Sequence, residues 1–338
     1  RKENSDAPLI VGTTEIYTQD SRSQTTILDV YSKKEGSVTI FGINEPNFGR
    51  LYQGRNSESH RLYQDISVGF GGYKVLKKMG LSPSIHQLNE APTVFGVLAF
   101  LDDLYGEVKR RIDEEEKILS EDHSLSEEEK EVLAFGEALD TVRRRTLYTN
   151  HTLIQAVESD FELSQFEHFV FPNIRSEKVK SFLREKIEKR GKLKLSLLAL
   201  ALADKKNGVS RLHAQVASRE FRDETGAPVM FSGITNGVFL KRWNADVTDL
   251  YRESGILDEF DLPTPDFKKK LTDLNSQKLE EIHEKKRIEL RSLLSLRLDQ
   301  YGLPIKIGND SVGEKKTKIF YWTRRFAGYK RPDVMFAD

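Results

Sequence analysis

The chain has 338 residues, with 53 basic and 53 acidic side chains and no cysteine. Zero net charge gives no field to gather nucleic acid or an anionic membrane, so any anion must be caught by a local site. The missing cysteine excludes a disulfide framework and thiolate metal sites.

Hydrophobic residues make up 38% of the chain and charged ones 31%, enough apolar content for packed cores, and the length suggests about two domains. No N-terminal stretch reads as a signal peptide. The most apolar run, 193–203, is about half of what a bilayer span needs. The expectation is a soluble, cytoplasmic protein. The sequence does not begin with methionine and ends inside what reads as an ordered element, so it is expected to be a central piece of a longer polypeptide.

Residues 9–42 read as strands, notably 27–31 and 38–41, where β-branched and aromatic residues are bounded by glycine and lysine turns. Gly69, Gly71 and Gly72 precede a helix at 73–79; they lack a dinucleotide loop's spacing and read as packing between helix and loop. Residues 84–88 read as a short buried strand ending at Asn89-Glu90, and 93–104 as a helix. The stretch 107–129 is a charged, solvated helical face or loop. Ser126 and Glu129 form a capping box, followed by a helix with Val132, Phe135, Leu139 and Val142 on one face and then a strand at 147–149. Residues 176–205 read as helix broken near Gly191, 266–300 as one long charged helix, and 318–322 as a strand. Strands and helices alternate, so the class is α/β.

Four segments carry chemistry. Tyr148-Thr-Asn-His-Thr152 puts a histidine at a strand end, aimed into a cleft or hydrogen-bonded in a packed corner. In Asn207-Gly-Val-Ser-Arg-Leu-His213, Asn207-Gly208 reads as a turn and Ser210 as the cap of a helix with His213 in its first turn. Ile234-Thr-Asn-Gly-Val238 reads by default as a hairpin turn. After the last strand, Arg324-Arg-Phe-Ala-Gly-Tyr-Lys-Arg331 sets four cations within eight residues. Arginine forks and a movable lysine there suit a phosphate-bearing substrate; a solvated basic loop or a nucleic-acid patch is the alternative. The histidines are scattered, so no metal site is expected.

With Gln64-Asp-Ile-Ser-Val-Gly-Phe-Gly-Gly72 and His86-Gln-Leu-Asn-Glu90, these segments in order resemble successive signatures of the α-glucan (glycogen/starch) phosphorylases, nearer the shorter bacterial and archaeal branch. The resemblance implies the GT-B fold, here partial: a Rossmann-like N-terminal domain over 1–316, carrying a charged insertion at about 107–129, and the start of a C-terminal one at 317–338. It implies transfer of a terminal glucosyl unit from an α-1,4-glucan to inorganic phosphate, giving glucose 1-phosphate. The cofactor would be pyridoxal phosphate and the assembly a homodimer.

His151 would contact the glucosyl unit and help to stabilise developing positive charge, with Asn150 and Thr152 also on the substrate. Asn236 would bind the sugar's primary hydroxyl, and His213 would stand beside the pocket. Arg325 and Lys330 would hold the substrate and cofactor phosphates. The Schiff-base lysine would come after Asp338, so the fragment alone is expected to be inactive. Pro92 and Gln155 depart from the family pattern. They favour, as the alternative, a non-catalytic glucan-binding or regulatory relative. A helical interaction protein built on 107–129 and 266–300 would leave the ordered motifs unexplained.

Overall fold

The structure is a computed structural model, described here for residues 9–17, 25–45, 48, 58–116, 125–153, 159–223, 225–300, 331 and 333–334. It divides into two compact units, Arg1–Asn236 and Gly237–Asp338.

The first unit opens with an antiparallel sheet of β1 (Leu9–Tyr17), β2 (Thr25–Glu35) and β3 (Val38–Asn44), in that order. Glu35 pairs with Val38, and Gly36 supplies the positive φ that such a tight turn requires. Alternate β2 residues, Leu28 and Val30, face the core. Next come α1 (Glu58–Ile66), a π turn at Ser67–Gly71 and α2 (Gly72–Lys78).

Gly69 and Gly71 are packing devices, as their spacing implies; a Cβ on Gly72 would meet nothing within 4 Å. A Cβ on Gly69 would sit 2.4 Å from Phe95 Cβ, and one on Gly71 would sit 2.8 Å from Leu28 Cδ1. Both glycines let this segment lie flush between the first sheet and the helix that carries Phe95.

A second sheet is wholly parallel, in the order β4 (His86–Asn89), β5 (Thr146–Asn150), β8 (Lys205–Gly208) and β9 (Ser232–Gly233). Parallel neighbours need crossovers, and helices supply them. Between β4 and β5 run α3 (Val94–Glu116) and α4 (Glu127–Arg145). Between β5 and β8 lie β6 (Asp160–Glu162), α5 (Leu163–Gln165), α6 (Glu177–Glu188), β7 (Lys192–Lys194) and α7 (Leu195–Ala201). The last crossover is α8 (Arg211–Glu220). The core gathers around Phe95, Leu98, Tyr148, Phe166, Leu183 and Leu198.

The second unit contains α9 (Leu240–Glu253), kinked at Asn244, then α10 (Phe267–Thr272) and α11 (Ser276–Gln300). Lys286 of α11 pairs with Asp246 of α9 at 3.0 Å.

The α/β class, the capping box of Ser126 and Glu129, and the break at Gly191 (φ 75°) are as the sequence implies. Several local readings are corrected. Asn207-Gly208 is not a turn but the end of β8, because Asn207 Oδ1 accepts a hydrogen bond from Thr149 Oγ1 across the sheet. Residues 234–238 form no hairpin, since the strand before them pairs in parallel. The 266–300 helix is two helices, parted where Asn275 Oδ1 accepts from Gln277 N–H. Val132 is exposed; the buried face of α4 is Ala134, Ala138 and Val142, small residues that bring α3 close. The strand expected at 318–322 and the boundary expected at 316/317 lie outside the described residues.

Candidate functional site at the carboxyl edge of the parallel sheet

In open α/β sheets, ligands bind beyond the carboxyl ends of the strands. Here that edge is formed by Asn89-Glu90 after β4, Asn150-His151 in and after β5, Val209-Ser210 after β8 and 234–236 after β9.

Glu90 is the pivot. Its backbone is held at φ 76°, ψ 161°, a region that costs a non-glycine residue about 1–3 kcal/mol. Hydrogen bonds over-determine it. Its N–H donates to Thr149 O at 3.0 Å, its carbonyl accepts from Thr93 Oγ1 at 2.8 Å, and its carboxylate Oε1 accepts from His151 N–H at 3.0 Å. The strain therefore serves to aim a carboxylate across the β4–β5 edge.

His151 Nε2 lies 2.7 Å from Asn89 Oδ1, and His213 Nε2 lies 2.8 Å from Asn150 Oδ1. An amide oxygen only accepts, so both imidazoles carry hydrogen on Nε2. Asn150, almost fully buried, turns its amide nitrogen to Tyr148 Oη at 2.8 Å, which leaves its oxygen facing His213. Burial holds the His213 imidazole below the ordinary histidine value, Glu90 opposes that, and His151 adds to it. Glu90, His151 and His213 are thus one electrostatic cluster drawn from the ends of β4 and β5 and the first turn of α8.

Glycine makes the cluster possible. A Cβ on Gly208 would stand 2.7 Å from His213 Cδ2 and 2.8 Å from the Ala214 nitrogen; one on Gly233 would stand 2.8 Å from Arg211 Cα. The first turn of α8 sits directly on the strand ends as a result. Ser210 Oγ caps it by accepting His213 N–H at 3.0 Å. The positive end of this helix points at the same edge. Ile234 N–H donates to Gly208 O and Asn236 N–H to Val209 O, which brings Asn236 to the edge with its side chain exposed.

The structure thus brings together Asn150, His151 and His213, with Asn236 on the same edge. Thr152 lines an adjoining groove of about 690 Å³ with Asp160, Lys194 and Phe221. Arg325, Lys330 and Gln155 lie outside the described residues. Sequence reading left Asn89 and Glu90 out of the site. The Asn-Glu pair closing a strand was their only signal, and the φ of Glu90 could not be read from it. Among the described residues, no group of three metal-binding side chains gathers and no helix is long and apolar enough to cross a membrane.

No family model matches the chain. Curated relatives do. The maltodextrin phosphorylase of Thermococcus litoralis is 25% identical over 295 residues, 82% of this chain and 31% of that protein. The glycogen phosphorylase of Aquifex aeolicus is 25% identical over 296 residues, 82% of this chain and 39% of that protein. That of Mycobacterium tuberculosis is 25% identical over 217 residues, 58% of this chain and 22% of that protein. The chain thus spans well under half the length of these relatives. Among solved structures, the catalytic domain of starch synthase IV from Arabidopsis thaliana, bound to ADP and acarbose, aligns at TM-score 0.44 and 16% identity over 71% of this chain and 42% of that one. So loose a likeness fixes nothing further.

Proposed function

We propose, from the premise of this chain's homology with the α-glucan phosphorylases, that it is part of a glycosyltransferase of GT-B architecture. The complete protein would be a cytoplasmic homodimer that moves the terminal glucosyl unit of an α-1,4-glucan to inorganic phosphate. The observation that carries this reading is the cluster of Glu90, Asn150, His151 and His213, assembled from two strand ends and a helix start at the edge where α/β folds bind ligands.

In the reaction, the bond between the sugar's anomeric carbon and the chain oxygen breaks. A bond from that carbon to a phosphate oxygen forms, and the departing chain oxygen takes a proton. The transition state gathers positive charge on the sugar ring. Fixed acceptors suit it, and Glu90 and the amide oxygens of Asn89 and Asn150 are held by hydrogen bonds before any substrate arrives. His151, Asn150 and Thr152 face the glucosyl unit in this reading, Asn236 its primary hydroxyl, and His213 the side of the pocket.

Arg325 and Lys330 are assigned to the phosphates; their charges offset the repulsion between two anions brought close together. Pyridoxal phosphate, when bound, would supply a phosphate that assists proton transfer. The residues assigned to that phosphate, Arg325 and Lys330, lie outside the described residues.

The test is an assay of glucose 1-phosphate release from maltodextrin and from glycogen by the complete gene product. Activity is expected, and Lys330→Ala should weaken phosphate use far more than glucan binding. Glucan binding without phosphorolysis would make the protein a binding relative. Equal loss of both in the Lys330 variant would overturn the phosphate assignment.

A further inference from the structure

The opposite edge of the parallel sheet holds a cavity of about 430 Å³, within the size range of small-molecule sites. Its walls come from the places where helices hand over to strands. Arg143 lies in the last turn of α4, Ala201 ends α7, Lys206 is the second residue of β8, and Arg222 follows α8. Topology therefore places it at the opposite ends of the strands from the cluster above, although Arg190, Leu197 and Arg222 also line the groove that holds Thr152. Its floor is apolar, with Leu193 and Val229 buried in the core.

Among the described residues, six cations line the cavity, three of them Arg143, Lys206 and Arg222, and one carboxylate; of the other cations, Lys189 is paired with Glu185 at 2.6 Å. That carboxylate, Asp223, is committed to its own turn, where it accepts from Thr225 N–H and Oγ1 and from Ala227 N–H. Arg143, Lys206 and the exposed Arg222 are held mainly by groups that leave their charge in place. Arg143 Nε donates to Ala201 O at 2.9 Å, and its Nη1 lies 4.0 Å from the exposed carboxylate of Asp140. Arg222 Nη1 donates to the carbonyls of Arg219 and Phe221. Lys206 Nζ lies 3.4 Å from Asp204 O. In a chain with equal numbers of acids and bases, this excess is local. Like charges gathered over an apolar floor repel one another unless an anion comes between them.

We propose that this cavity binds a phosphomonoester with an apolar body, the phosphate at Arg143, Lys206 and Arg222 and the body on Leu193 and Val229. Two arginine forks and a lysine suit the oxygens of one phosphate. Burial, reinforced by Arg143 and opposed by Asp204, lowers the Lys206 pKa, and a bound phosphate would reverse that.

The probes are 1-naphthyl phosphate, 1-naphthol and inorganic phosphate, titrated calorimetrically into the chain. The ester should bind at least tenfold more tightly than either part, and the double variant K206Q/R222Q should lose at least tenfold in affinity. Should that variant fail to fold, amine acetylation read by mass spectrometry on the unsubstituted chain decides: the ester should protect Lys206. Equal binding of naphthol or of inorganic phosphate, an unchanged affinity in the variant, or protection at Lys330 without protection at Lys206 would each overturn the proposal.

Discussion

The α3–α4 hairpin and the carboxyl edge of the parallel sheet both abound in polar side chains, and they use them in opposite ways. On the hairpin, Lys109 reaches Glu127 and Glu131, and Arg111 reaches Glu115 and Glu137, across surfaces open to solvent. Such pairs trade water for a partner and gain little. At the sheet edge, Asn150 and Thr149 are buried, and their hydrogen bonds run to His213 and Asn207, 63 and 58 positions away in sequence. A buried polar group that loses its partner has no water to turn to. Density of charge along a sequence therefore marks a solvated surface; convergence of buried hydrogen bonds from separate strands marks a candidate site.

The largest expected effect tests burial itself, away from both regions. Asp65 of α1 is almost fully buried with Arg61 3.1 Å away, and its second carboxylate oxygen has no partner. Burial pushes its pKa up to about 7, against the pull of Arg61. A raised folded pKa makes the protonated form the stabilising one. That stability is full below the unfolded value near 4 and is lost as pH rises through 7. Relative to Asp65→Asn, the unsubstituted chain should lose up to about 1.4 kcal/mol per pH unit across this window. Denaturant titrations at pH 5 and pH 8 check it, and parallel curves for the two proteins would refute it.

Gly208→Ala should cost about 2–3 kcal/mol, because the new methyl meets the Ala214 backbone and the His213 ring. A thermal melt reads this, and an unchanged melt would mean that α8 does not press on β8. Asn150→Ala should cost about 2 kcal/mol by stripping partners from Tyr148 and His213, measurable by denaturant unfolding. Lys109→Ala, on the hairpin, should stay within about 0.5 kcal/mol in the same measurement. If the last two variants cost the same, the contrast between the regions fails.

The smallest effect is electrostatic. The His213 titration midpoint, followed by NMR, should lie below that of free histidine. It should rise in His151→Gln and fall in Glu90→Gln. Movement in the other direction would dissolve the cluster.

Local chemistry made some features legible before any tertiary structure. The capping box of Ser126 and Glu129, the Ser210 cap and the packing at Gly69 and Gly71 follow from short-range sterics and hydrogen bonding. Asn207-Gly208 misled for the same reason: a dipeptide that favours turns became a strand end because Thr149 offered a partner and α8 needed a glycine beneath it. Val132 misled because a periodic stripe can run past the packed part of a helix: Phe135, Leu139 and Val142 of the same stripe pack on the core while Val132 stands exposed. Asn89 and Glu90 went unread as site residues because their role rests on a backbone angle and on His151, 61 residues beyond Glu90.

The sequence by itself determined the α/β class, the places of most helices and strands, and the resemblance to phosphorylases, since these rest on periodicity, capping and ordered motifs within short windows. Only the tertiary structure decided that His151 and His213 share one cluster, that Glu90 is forced into position, and that cations scattered from Arg143 to Arg222 line one cavity. Those facts depend on which parallel strands lie side by side, and pairing between distant segments leaves no local mark.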